Sequence, residues 1–326
     1  MNPLLFIPLL VALFVAAIGL PKWIKKCRQL GFLWEDMHKV GHPKNVAGSG
    51  GVIILISFVL GVLVYIAIRN LLWKSNDINI QVFALLIIVL ILAFVGLIDD
   101  LAGWKYGGLS IKVRLFFAFL ASIPFIVISI PPMGMIDVGI LYTLIIIPTG
   151  IVGATTTFNF LAGYNGLEAG QGIIILSFLT FVSYITGYLW LAFIGALMVT
   201  PLLVFLIYNK YPAKIFPGDS LTYPIGALIA LMSILGNFEI LAVFVFSPYI
   251  LEVFLKLRGN LKKYSFAKLN EDGSLEMPYK KIYGLEHLSI KILKQFKKKV
   301  YEKDVVRFIF IVQIIICFIA YMIWFV

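Results

Sequence analysis

Asp99 and Asp100 stand side by side at the end of an apolar run, in Gly96-Leu-Ile-Asp-Asp-Leu-Ala-Gly103. Adjacent carboxylates after a hydrophobic helix are costly unless they are solvated, paired with cations or bound to a metal. A second polar string is Asn159-Phe-Leu-Ala-Gly-Tyr-Asn165-Gly-Leu-Glu168-Ala-Gly-Gln171. Its glycines permit tight turns and close backbone approach to a ligand, while Asn159, Asn165 and Glu168 offer hard oxygen ligands or base-edge partners. In a third, Phe216-Pro-Gly-Asp219-Ser220, Asp219 suits either a helix N-cap or an oxygen ligand. A fourth, Lys44-Asn-Val-Ala-Gly48-Ser49-Gly50-Gly51, puts backbone N–H groups at a helix start beside a lysine, which suits a phosphate. Carboxylate and amide oxygens completed by substrate phosphate are Mg²⁺ chemistry, and lysine and arginine neutralise the phosphate charge. Phosphoryl transfer needs mainly that positioning and neutralisation.

The elements that must position these residues follow from composition. Of 326 residues, 61% are hydrophobic and only 13% are charged. That excludes a soluble enzyme, a disordered chain and a disulfide-stapled domain, because so apolar a globule could not cover its surface with polar groups. At ~20 residues per span the supply fills roughly ten spans. Apolar windows broken by charge, Gly and Pro predict helices near 2–21, 48–69, 81–98, 113–131, 139–159, 171–187, 189–208, 221–236, 238–256 and 305–326. The first is followed, not preceded, by Lys22, Lys25, Lys26 and Arg28, the reverse of a secretory signal. The expected fold is an all-α polytopic membrane protein of about ten spans, one domain over 1–326 with an insertion at 257–304.

Ten spans divide the cations very unequally. The odd-numbered connections, with Arg307, hold 25 of the 27 lysines and arginines, and the even ones hold only Arg69 and Lys74. The positive-inside rule then predicts both termini outside and a cytoplasmic functional face in the cell membrane. Of the 16 acids, Asp77, Asp137 and Glu239 fall on the outer side. The rest, including Asp99, Asp100, Glu168 and Asp219, gather on the cytoplasmic side.

At these residues the chain resembles the polyprenyl-phosphate N-acetylhexosamine-1-phosphate transferase family, in particular its eukaryotic and archaeal UDP-GlcNAc–dolichyl-phosphate branch. The likeness runs through Gly96–Asp100, Asn159–Gln171, Phe216–Asp219 and Leu269-Asn-Glu-Asp-Gly-Ser-Leu-Glu-Met277, and covers nearly the whole chain. It implies a Mg²⁺-dependent enzyme that converts UDP-GlcNAc and a polyprenyl (dolichyl-type) phosphate into polyprenyl-diphosphate-GlcNAc and UMP, the first step of lipid-linked oligosaccharide synthesis. Asn159 and Asp219 match the family's metal ligands, and Asp99 and Asp100 its aspartate pair. Gly163 and Asn165 match the uridine contact region; Glu168 in the same string and Lys44 before the second helix are further substrate-binding candidates. Lys112 occupies the position of a pyrophosphate-facing lysine, with Arg114 as a competing alignment. An essential base is not expected of the aspartates, because a lipid phosphate with second pKa about 6 is already mostly dianionic near neutrality. The implied partners are UDP-GlcNAc, the lipid phosphate and the membrane, without nucleic acid and with room for a homodimer.

Two departures from the family matter. Bacterial members carry a His-x-His motif in the last cytoplasmic loop, where His287 here stands alone. The eukaryotic branch has paired arginines where Lys263 and Ser265 align, so Lys263, Lys262 and Arg258 compete to complete the phosphate clamp. Within 257–304, Tyr264–Leu269 and Ser274–Tyr279 flank a hairpin turn at Asn270–Gly273. Leu288, Ile292, Phe296 and Val300 recur at helical spacing among lysines, as in a basic amphipathic helix on an anionic leaflet. His38 and His42 have a zinc-like spacing, but Gly41, Pro43 and the lack of a third ligand argue against zinc.

Two other functions fit parts of the pattern. A secondary transporter of an anionic substrate suits ten spans but predicts ionisable residues at mid-membrane. An intramembrane aspartyl protease would pair Asp99 with Asp219 and leave the Asn/Gly/Glu string without a task. The same transferase chemistry on another UDP-N-acetylhexosamine also remains open.

Overall fold

The computed structural model describes residues 3–128 and 139–326. Asp137 and the end of the fourth expected helix lie outside the described residues. The chain forms α1 (Phe6–Leu30), β1 (Leu33–Glu35), β2 (Lys44–Ala47), α2 (Gly51–Leu71), α3 (Asn79–Tyr106) and α4 (Ile111–Ile128). A π-turn (Tyr142–Ile146) leads into α5 (Ile147–Phe158), followed by α6 (Leu167–Ile185), α7 (Leu189–Asn209) and α8 (Asp219–Leu235). The remainder is α9 (Glu239–Val245), α10 (Ser247–Arg258), β3 (Lys268–Leu269), β4 (Leu275–Glu276), α11 (Leu285–Leu293) and α12 (Glu302–Phe325).

Each expected apolar window has a helical counterpart, but six helices among the described residues are long and apolar enough to cross a membrane. They are Pro3–Leu30 (α1 with the short turn before it), α2, α3, α6, α7 and α12. The expected ninth span is two helices, α9 and α10, bent by 57° across Phe246, where Pro248 cannot donate to the preceding turn. Tyr142–Phe158 and α8 are shorter apolar helices.

The bundle is organised around α8. Every residue from Ser220 to Leu235 is buried, as expected of a helix apolar on all sides. It packs against α3 and α5 most extensively, and also against α2, α6, α7 and α9. Gly96 makes the α3 crossing possible, because a Cβ there would lie 2.3 Å from the Asp219 carbonyl oxygen.

Several boundaries differ from expectation. The third helix does not end at the aspartate pair; it runs on through Leu101–Tyr106 and stops where Gly107 takes a left-handed conformation, φ 89°. The architecture is not purely α-helical, since Leu33–Glu35 and Lys44–Ala47 form an unforeseen antiparallel hairpin. The second hairpin is real but short, pairing only Lys268–Leu269 with Leu275–Glu276. Its flanks bond elsewhere: Ala267 N–H donates to His38 and Leu275 N–H to the Val300 carbonyl. The amphipathic helix stops at Leu293 instead of continuing to Val300. Three consecutive lysines, 297–299, repel one another, and two leave for acidic partners, Lys297 to Asp304 and Lys299 to Asp272, both at 2.6–2.7 Å.

Candidate active site

A helix start leaves N–H groups without intrahelical acceptors. For α8 the acceptor comes from another helix: Asp100 Oδ1 takes the Asp219 N–H at 2.7 Å and Oδ2 takes the Ser220 N–H at 3.3 Å. Oδ2 also accepts the Ser49 hydroxyl at 2.7 Å. Gly218, at φ 71°, lets the chain pass this carboxylate, since a Cβ would sit 2.2 Å from Asp100 Oδ2. Asp219 is therefore not an N-cap; Asp100 caps its helix and leaves the Asp219 side chain free for other partners. Ser49 is brought there by backbone pairing, with Phe216 N–H donating to Ala47 and Gly50 and Gly51 N–H groups to Phe216 and Pro217. Those two N–H groups are thereby consumed, so the turn opening α2 does not offer them to a phosphate.

Asp99 points to a different set of partners. Its Oδ1 accepts the Leu109 N–H at 2.6 Å, and its Oδ2 lies 2.8 Å from Arg114 Nε and 3.5 Å from the Tyr223 hydroxyl. At 3% exposure it is no solvated helix end. Arg114 Nη1 also lies 3.9 Å from Asp219 Oδ2, so one guanidinium serves both acids. Asn159, at the end of α5, donates from Nδ2 to Asp219 Oδ1 at 2.9 Å and accepts the Thr222 hydroxyl at 3.0 Å. Thus Asp99, Asp100, Asn159 and Asp219 do converge, with Arg114, Ser49, Thr222 and Tyr223 around them.

Two cavities meet at this cluster. One of about 470 Å³ is lined by Asp100, Asp219, Asn159, Gly163, Glu168 and Phe216, among others. The other, about 580 Å³, has Arg114, Tyr223, Lys256 and Lys263 on a mainly apolar wall of Ile111, Leu115, Val253, Leu257 and Leu261. Asn159, Ala162 and Phe266 line both. Glu168 is buried and accepts the Gly163 N–H at 2.9 Å, which fixes the glycine loop.

The other expected residues are placed elsewhere. Asn165 is a buried clasp whose amide and backbone bond Glu302, Asp36 and the Ala213 N–H, joining four distant segments. It does not line either cavity. Lys44 is exposed, 4.0 Å from Glu35. Lys112 is exposed and lines neither cavity, whereas Arg114, the competing alignment, contacts both aspartates. Lys263 reaches the second cavity with its ammonium 4.9 Å from the Tyr279 ring centre. His38 packs 4.1 Å from the Tyr164 ring and accepts the Ala267 N–H; burial pushes its imidazole down to about 4. His42 is apart from it, 3.5 Å from Glu35.

Sequence reasoning missed Thr222, Tyr223, Lys256 and the Asp36–Asn165–Glu302 clasp. Thr222 had a usable signal, since i and i+3 share a helix face with Asp219. The others had none.

No group of three or more His, Cys, Asp or Glu is gathered as a metal cage among the described residues. The donor set at Asp219 and Asn159 is one carboxylate and one amide, which fits a hard divalent ion that takes most of its shell from water and phosphate.

Comparison with known proteins agrees with this geometry. The profile described as glycosyl transferase family 4 matches residues 82–237, which contain Asp99, Asp100, Asn159 and Asp219. A Saccharolobus solfataricus protein, provisionally assigned as a UDP-N-acetylglucosamine–dolichyl-phosphate N-acetylglucosaminephosphotransferase, is 35% identical over 297 residues, 88% of each chain. A Sulfolobus acidocaldarius protein with the same assignment is 33% identical over 94% of this chain and 92% of its own length. The phospho-N-acetylmuramoyl-pentapeptide-transferase of Wolbachia pipientis is 30% identical over 84% of this chain and 82% of its own.

Proposed function

The chain belongs to the glycosyl transferase family 4, and on that premise we propose that it transfers GlcNAc-1-phosphate from UDP-GlcNAc to a dolichyl-type polyprenyl phosphate. An oxygen of the lipid phosphate attacks the phosphorus bonded to the sugar, a new P–O bond forms, and the bond to UMP breaks. UMP leaves, and polyprenyl-diphosphate-GlcNAc remains.

The observation that carries this reading is the Asn159–Asp219 pair, 2.9 Å apart where two cavities meet: Asn159 lines both, and Asp219 lines the one that also holds Asp100, Glu168 and Gly163. A two-substrate transfer between a water-soluble nucleotide and a lipid needs that arrangement. The nucleotide occupies the cavity with Phe216 and Gly163, where an aromatic ring and open backbone suit a flat base. The prenyl phosphate occupies the apolar cavity, with Arg114 toward its phosphate. Asn159 and Asp219 are the residues that would hold a divalent ion such as Mg²⁺, which would supply charge neutralisation at the transferred phosphate. Asp100 orients Asp219 through the α8 backbone, and Arg114 sets a cationic guanidinium 2.8 Å from Asp99 and 3.9 Å from Asp219. All of this places substrates and offsets charge, as a displacement at phosphorus requires.

Ten crossings, both termini outside and a cytoplasmic site complete the reading, with the whole chain as a single integral-membrane transferase. The support is the 25 of 27 cations assigned to one side. A transporter is not favoured, because the acids cluster with two cavities at one end of α8. A protease dyad is not favoured either, because it leaves Asn159, Gly163 and Glu168, which line the cavity beside Asp219, without a task.

The test is UMP release by purified protein given Mg²⁺, a polyprenyl phosphate and UDP-GlcNAc, with UDP-GalNAc compared as the alternative sugar. Release is expected, and Asp219→Ala or Asn159→Ala should abolish it. An intact preparation that releases no UMP from any UDP-amino sugar would sink the proposal.

A further inference from the structure

The apolar cavity carries three cations, and their surroundings differ. Arg114 is engaged with Asp99, Asp219 and the Leu109 carbonyl. Lys263 is exposed and has its ammonium over the Tyr279 ring. Lys256, from α10, is different: its side chain is 14% exposed, and its ammonium donates to the Ser265 hydroxyl and lies 3.5 Å from Glu252 Oε1. Glu252 is fully buried and anchored through Oε2 by the Leu285 N–H at 2.6 Å. Neighbouring Glu286 is also fully buried, and burial together with Glu252 pushes its carboxyl well above the usual range. Of the two acids, Glu252 is the one that faces the Lys256 ammonium.

An ammonium has three donors. Ser265 takes one of those on Lys256, Glu252 faces it as an ion-pair partner at 3.5 Å, and the cavity it lines is otherwise mainly apolar. Holding a long, entropy-rich lysine this way costs rotamer freedom, which a use for its charge offsets. A ligand complementary to this wall has an apolar chain and an anionic head. A free phosphate has no chain, and a nucleotide has no use for the Leu257 and Leu261 surface.

We propose that Lys256, held by Ser265 and Glu252, is the cation that binds the phosphate head of the prenyl acceptor, opposite Arg114 from α4. This deepens the transferase reading and rests on it for the identity of the acceptor. Lys256 supplies from α10 the charge that Ser265 itself lacks.

The full-length protein in detergent, as wild type, Lys256→Met and Lys256→Arg, is assayed with each substrate varied in turn. A charge-assisted hydrogen bond lost at a phosphate predicts a rise of about 10-fold or more in the acceptor KM for Lys256→Met. The KM for UDP-GlcNAc should move by less than about threefold, and Lys256→Arg should recover much of the acceptor affinity. Thermal shift with farnesyl phosphate against farnesol provides a readout without turnover. Wild type should be stabilised by the phosphate and not the alcohol, and Lys256→Met should lose the distinction. If Lys256→Met does not fold, Ser265→Ala keeps the charge but frees it, and should raise only the acceptor KM. An unchanged acceptor KM with retained discrimination, or a loss confined to UDP-GlcNAc, overturns the proposal. If wild type releases no UMP, the transferase reading fails, while the farnesyl phosphate comparison still decides whether Lys256 binds a lipid phosphate.

Discussion

The Asp100 carboxylate accepts the backbone N–H of Asp219 at 2.7 Å, so an acid on α3 sets where an acid on α8 begins its helix. Asp100 also accepts from Ser220 and Ser49. With its oxygens taken by three donors, it is a positioning group and is poorly placed to act as a base.

Asp100→Ala leaves those three donors without their acceptor, at about 1–3 kcal/mol for each one that stays buried and unpaired. The expected result is a lower melting temperature and a fall in UMP release of roughly 100-fold, as a displaced Asp219 would produce. Ser49→Ala removes one hydrogen bond and should cost less than about 10-fold. If Asp100→Asn shifts the acid limb of the kcat–pH profile while Tm stays put, Asp100 is a base and the positioning account is wrong.

Arg114 and Lys112 are two residues apart, but only Arg114 reaches the acids. Arg114→Met should lower kcat by about 100-fold, because it leaves buried charges unpaired. Lys112→Met should lower it by no more than about 10-fold, the range of an exposed charge. The two variants, assayed side by side at fixed substrate, decide between the alignments.

Gly96→Ala should abolish activity while the protein still inserts into membranes. Its Cβ would collide with backbone atoms of Asp219 at 2.3–2.4 Å, which a side-chain rotation cannot relieve. Gly153→Ala is the comparison, since a Cβ there meets nothing within 4 Å. Size-exclusion profiles and UMP release from both check the contrast.

Burial holds the His38 imidazole down to about 4, below its unfolded value of about 6.5. Between those values the unfolded chain binds a proton that the folded chain does not, so stability falls as pH drops from about 6.5 toward 4. The loss builds to on the order of 3 kcal/mol as pH falls to about 4. Melting temperature across this range should decline less steeply in His38→Phe than in wild type. Identical slopes would mean that folding leaves the His38 imidazole at its ordinary value.

Chelation tests the metal. EDTA should stop UMP release and excess Mg²⁺ should restore it, because a metal site built on Asn159 and Asp219 would leave most of the shell to exchangeable ligands. Asp219→Asn should weaken the Mg²⁺ dependence, measured as the half-saturating concentration, by about 10-fold or more. Full activity after exhaustive chelation would exclude a metal at this pair.

The amino-acid sequence by itself determined the class of the molecule and of its chemistry. Apolar windows, charge runs and the Asp99–Asp100, Asn159–Gln171 and Phe216–Asp219 strings are local signals, legible because hydropathy and motif spacing are properties of neighbouring residues. The convergence of Asp99, Asp100, Asn159 and Asp219 was legible in that way. Only the tertiary structure decided what each residue does there. Asp100 caps a helix 119 positions away, Asn165 clasps Glu302 across 137 positions, and Arg114 displaces Lys112 as the aspartates' partner. Lys256, on a helix read as plain membrane span, lines the apolar cavity from α10, which is bent by 57° from α9. Such pairings are set by how helices cross and by which buried donors need acceptors, and those constraints leave no periodic mark on either segment alone.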